Sequence, residues 1–82
     1  MYKNKAKNGT NNICGKKIKL YREALKEKTS QRGLAFLLQN EGIDIDKNAI
    51  QRIESGLRFV TDIELQVFAK VLHVSYQDLL DD

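Results

Sequence analysis

Apolar side chains return every third or fourth residue in five runs between positions 13 and 80, the spacing that places them on one face of a helix. Over 13–28 the run is Ile18, Tyr21 and Leu25, with Lys16, Lys17, Lys19 and Lys26 at polar positions. Leu34, Ala35 and Leu38 form a second run behind Ser30, whose hydroxyl can accept from the free amides of a first helical turn. Ile50 and Ile53 mark a third helix behind Asp46, a capping acid suited to the positive end of a helix dipole, and Gly56 ends it. Thr61 with Glu64 is a capping-box pair ahead of the fourth stripe, Ile63, Leu65, Phe68, Ala69 and Leu72. Ser75 with Asp78 opens a short fifth helix whose Leu79 and Leu80 are expected to close the core. Gly42 in "EGIDI" breaks the helical pattern, and "LRFV" at 57–60 reads as a loop with apolar anchors. The expectation is an all-α globule of five helices over 13–82.

Residues 1–12, "MYKNKAKNGTNN", have too little apolar surface to repay ordering, and are expected to form a flexible basic arm. Lys3, Lys5 and Lys7 in that arm are open to two readings, a contact along a nucleic-acid backbone or a plain disordered leader.

Composition narrows the class. With 82 residues there is room for one small core, and 41% hydrophobic and 30% charged residues favour folding over disorder. The single cysteine, Cys14, has no partner for an internal disulfide, and no Cys/His cluster has zinc-ligand spacing. A reducing, cytoplasmic setting is expected, since neither a membrane span nor an exported leader is evident. One histidine, one cysteine, no paired acids in a catalytic motif and no phosphate loop argue against an enzyme, and no cofactor or metal is expected.

Charge is uneven along the chain. Residues 1–33 carry ten Lys/Arg against two Glu, and residues 34–82 carry four against nine acids. A basic front of this kind suits a protein that turns one face to a polyanion, although a lysine run can equally be a solvated surface.

Four short motifs occur in order: Ser30-Gln31 opening the second helix, Leu34-Ala35 within it, "IQRIESG" at 50–56 and "AKVLHVS" at 69–75. Across 13–80 they resemble the Cro/repressor-type helix-turn-helix domain, the xenobiotic-response-element (XRE) family of bacterial and phage regulators. Seven residues separate Leu38 from Asp46, where most members turn more tightly; a subset of the family shares the longer turn. His73 stands where many members have glycine, and is expected to be a structural cap in the left-handed conformation. The resemblance implies a compact lambda-repressor-like fold whose second and third helices form the helix-turn-helix. It also implies a sequence-specific DNA-binding transcriptional regulator, more in keeping with a repressor, that acts as a homodimer on double-stranded DNA without a small-molecule ligand.

In this family the second helix of the motif, here 46–55, enters the major groove. Lys47 and Asn48 would then lead, with Gln51 and Arg52 a turn further along the same side, and Ala49, Ile50 and Ile53 would face the core. These four are the expected base contacts: arginine and lysine suit guanine O6 and N7, while asparagine and glutamine suit adenine N6 and N7. Gln31, Arg32 and Arg58 are the phosphate contacts the resemblance implies, with Lys47 a further candidate, and Arg22 with Glu54 is its buried salt bridge. Glu41 and Asp44 are expected to be carried away from the backbone by the longer turn of 39–45. Phe59, Tyr76, Leu80 and the acidic "DLLDD" tail are candidates for the dimer surface. The competing function is a protein-interaction module of the same fold, such as an antitoxin or a transcription adaptor, for which exposed apolar surface on the fifth helix or on "LRFV" would speak.

Overall fold

The computed structural model describes residues 9–81, and all of the regular structure among them is helical. The five helices are α1 (Gly15–Glu23), α2 (Gln31–Asn40), α3 (Lys47–Glu54), α4 (Asp62–Leu72) and α5 (Tyr76–Leu80). Four of the five start where a polar side chain caps the first turn. Ser30, Asp46, Thr61 and Ser75 each accept from the backbone N–H three residues on, and Thr61–Glu64 and Ser75–Asp78 close reciprocal capping boxes.

The first helix is shorter than its apolar spacing predicts. It stops at Glu23, and Leu25 lies half-buried in the turn that follows. The chain must double back there because the carbonyl of Thr29 accepts from Arg22 Nη1 at 2.9 Å, which a helix continuing to residue 28 would forbid. At its other end α1 has no side-chain cap on Cys14; instead Asn12 Oδ1 accepts from Gly15 N at 2.8 Å. Gly15 is required by crowding, since a Cβ there would lie 2.1 Å from the carbonyl oxygen of Ile53.

The long connection between α2 and α3 is divided between helix and loop. α2 continues two residues beyond Leu38, and Gly42 then takes φ +89, so that Gly42 N donates to Gln39 O and Ile43 N to Leu38 O, both at 3.0 Å. This pair of bonds is a Schellman ending, and only glycine enters it without strain. The loop returns to the core through Ile45, which is fully buried and whose carbonyl accepts from Gln39 Nε2 at 2.8 Å. α3 ends the same way at Gly56, and α4 at His73, the single positive-φ residue other than glycine among those described (φ 59).

Ile18, Leu34, Leu38, Ile45, Ile50, Ile53, Phe68 and Leu79 make up the fully buried centre. Two residues expected in the buried stripes of α4 and α5 are exposed instead. Ile63 is 63% exposed, because nine residues of α-helix place it about 180° around the axis from buried Leu72. Leu80 is 41% exposed, one position round from Leu79, which fills the space alone. In the "LRFV" loop only Val60 anchors, half-buried; Leu57 and Phe59 face outward.

The arm reading over residues 1–8 lies outside the described residues, but its expected end does not behave as an arm. Asn11 N donates to Gly56 O at 2.8 Å, Asn11 Nδ2 to Leu57 O at 2.9 Å, and Asn12 Nδ2 to both Ile53 O (3.0 Å) and Arg58 O (2.7 Å). Polar side chains, rather than apolar burial, hold this segment, which is why hydropathy does not reveal it.

Candidate nucleic-acid interface

α3 divides its residues cleanly. Lys47, Gln51, Asn48 and Arg52 are all exposed and, at 100° per residue, span about 140° of its circumference. Ala49, Ile53, Ile50 and Glu54 are buried and occupy an equal arc on the other side. Asp46 sets the start of this register, its Oδ1 accepting from Ala49 N at 2.8 Å. Among the described residues, none of the four exposed side chains has an internal hydrogen bond or ion pair, so all their donors and acceptors face solvent.

The buried side of α3 is fixed by charge as well as by packing. Arg22 donates from Nε to Glu54 Oε2 (2.7 Å) and from Nη2 to Oε1 (3.0 Å), and Gln31 Nε2 donates to the same Oε1 at 3.0 Å. The Arg22 and Glu54 side chains are only 10% and 3% exposed. The hydrogen bond to Glu54 raises the Arg22 pKa above its ordinary value, outweighing the loss of solvent. One carboxylate therefore ties the ends of α1 and α3 to the start of α2.

Three sequence-predicted phosphate contacts differ in their surroundings. Arg32 is exposed and has no internal partner among the described residues, beside the N–H groups of the first turn of α2. Gln31 is half-buried and spends one N–H on Glu54, leaving its other amide hydrogen and its Oε1. Arg58 is not a free cation. Its Nη1 and Nη2 donate to the two oxygens of Glu64 at 3.0 and 2.9 Å, and Nη1 also donates to Phe59 O at 3.0 Å. The Glu64 hydrogen bonds raise the Arg58 pKa, and those from Arg58, ahead of those from Thr61, hold the Glu64 carboxyl below its usual range. The paired guanidinium keeps 31% of its side-chain surface exposed.

Of the two acids near the long turn, Glu41 forms an ion pair with Lys70 of α4, and Asp44 is exposed. The thiol of Cys14 is buried and its pKa is pushed up to about 11 by loss of solvent, so it stays protonated at neutral pH. No group of three or more His, Cys, Asp or Glu among the described residues is placed to hold a metal ion, and none of their helices is long and apolar enough to cross a membrane.

Two features of this site lay beyond the sequence reading. Ile45, inside the turn, supports the start of α3 from below, and the Asn11–Asn12 strap braces its end. A signal for the second was present: an asparagine three residues before Gly15 has the spacing of a helix cap. Compared with protein-family models, curated proteins and solved structures, the chain matches none significantly.

Proposed function

We propose that the chain is a sequence-specific DNA-binding regulator of the Cro/repressor type, with α2 and α3 as its helix-turn-helix and α3 in the major groove. The observation that carries this reading is the arc of four partner-free polar side chains on α3, opposite an arc that is entirely buried. Side chains without internal partners keep their hydrogen-bonding capacity for base edges, and the buried seat under α3 spares the cost of ordering the helix itself on binding. Lys47, Asn48, Gln51 and Arg52 read bases, and Arg32, with the first-turn amides of α2 and the remaining amide hydrogen of Gln31, holds a phosphate. Arg58, just after α3 and shared with Glu64, is a further phosphate contact through the exposed part of its guanidinium.

A homodimer follows from the same reading, since a two-fold protein matches two half-sites about one helical turn apart. Ile63, Tyr76 and Leu80, all exposed and grouped around one shallow cleft between α4 and α5, are the surface best suited to it. The same surface favours the second reading, a module of this fold whose main partner is another protein, and exposed Leu57 and Phe59 add to it.

Titrating isotope-labelled protein with a short mixed-sequence duplex separates the two by NMR. Backbone shifts concentrated at 31–33 and 47–52 support the DNA reading; an unperturbed α3 refutes it in favour of a protein partner.

A further inference from the structure

The guanidinium of Arg58 is only partly committed within the fold. Nη1 donates to Glu64 Oε1 and to Phe59 O, both at 3.0 Å, and Nη2 donates to Glu64 Oε2 at 2.9 Å. The Nε–H and the second Nη2 hydrogen have no partner among the described residues. In a planar guanidinium these two donors point the same way and form one two-pronged edge. Arg22 spends that same edge, Nε with Nη2, on the Glu54 carboxylate, whereas Arg58 keeps it open.

The position of Arg58 is fixed from two sides. Its backbone N donates to the carbonyl of Arg52, which ties it to the last turn of α3. Glu64 Oε1 also accepts from Thr61 N at 3.0 Å, and Glu64 N donates to Thr61 Oγ1 at 3.2 Å, so the capping box of α4 fixes the carboxylate. The Glu64 side chain is 12% exposed against 31% for Arg58. An anion arriving from solvent therefore meets the guanidinium, with the acid behind it.

We infer that Glu64 is a positioning residue for DNA: held by its capping box, it fixes the Arg58 guanidinium with the Nε–Nη2 edge free to take two oxygens of one phosphate. The inference rests on the DNA reading above and adds to it what orients Arg58 and why that position needs an arginine. A lysine carries the same charge as a single point, and cannot meet a carboxylate and a phosphate with two separate edges. Ordering a long side chain before binding also removes part of the entropy that binding would cost. Charge alone predicts the opposite role, since an acid near the phosphates would repel the duplex.

The test is a cycle of four versions of the full chain: the parent, Arg58→Lys, Glu64→Gln and both changes together, each titrated with a mixed-sequence duplex at one salt concentration. Glutamine also serves in a capping box, so the start of α4 survives the change, and a thermal melt confirms each fold. Arg58→Lys should weaken binding about 10-fold in the parent, the worth of one charge-assisted hydrogen bond, and about 2-fold or less where Glu64→Gln is already present. A cost of Arg58→Lys that is no smaller in the Glu64→Gln background overturns the inference and leaves Glu64 as a helix cap. Tighter binding by Glu64→Gln alone also overturns it, and makes Glu64 a repelling charge. Absence of duplex binding by the parent chain would instead refute the DNA reading itself.

Discussion

Arg22 grips Glu54 with two parallel N–H···O bonds of 2.7 and 3.0 Å, so that the end of the third helix is positioned by a side chain of the first. Both groups have lost most of their solvent, and each depends on the other for compensation. Removing one leaves a buried charge unpaired, at a cost of about 3–5 kcal/mol. Arg22→Ala and Glu54→Ala should each show a loss of this size in urea unfolding. The double variant should lose clearly less than the sum, because the interaction can be lost only once.

At the end of α4, His73 holds φ 59 and ψ 43, a conformation that costs an L-residue about 1–2 kcal/mol and glycine almost nothing. Part of that gain is offset by the greater freedom of glycine in the unfolded chain. His73→Gly should therefore stabilise the protein by about 0.5–1 kcal/mol, raising the calorimetric melting temperature by about 2–8 °C. His73→Val, branched at Cβ, should lower it.

The Arg58–Glu64 pair sets a pH dependence with a definite sign. Glu64 has a folded pKa below its ordinary 4.5, chiefly through the Arg58 hydrogen bond. A depressed carboxyl contributes stability that is complete above its unfolded pKa and is lost as pH falls through the folded value. Unfolding followed by circular dichroism should show this contribution unchanged from neutral pH down to about 4.5 and declining below it. Arg58→Ala should make that acid decline shallower; an identical decline would mean the pair does not form in solution.

Base reading and phosphate holding should separate by mutation. Asn48→Ala and Arg52→Ala should each cost about 1–3 kcal/mol on a preferred site and relax the choice at particular base pairs. Arg32→Ala should weaken binding to all sequences alike. Arg58→Ala, which removes a guanidinium shared with Glu64, should reduce both stability and affinity. Competition titrations with matched and single-mismatch duplexes distinguish these patterns.

Much of this could be read from local chemistry. Ser30, Asp46, Thr61 and Ser75 cap where their side chains and the following apolar stripes say they should, because capping depends on neighbours within one turn. The exposed and buried arcs of α3 follow equally from its periodicity. What was hidden depends on partners far along the chain. α1 stops early because Arg22 meets Thr29, Asn11 and Asn12 are held by carbonyls more than forty positions away, and Arg58 turns from solvent to Glu64. Ile45 belongs to no helical stripe, and its burial depends on how α2 and α3 close over it. Ile63 is misassigned for a simpler reason: seven of the eleven residues of α4 are apolar, more than one buried stripe can hold.

Selection from a random duplex library at about 150 mM salt, run in parallel with the intact chain and with Lys47, Asn48, Gln51 and Arg52 all changed to alanine, tests the central claim most directly. The account predicts an enriched inverted repeat, its half-sites about one helical turn apart, for the intact chain and none for the variant. No enrichment with the intact chain, or the same repeat from both proteins, would contradict the assignment of base reading to the exposed face of α3.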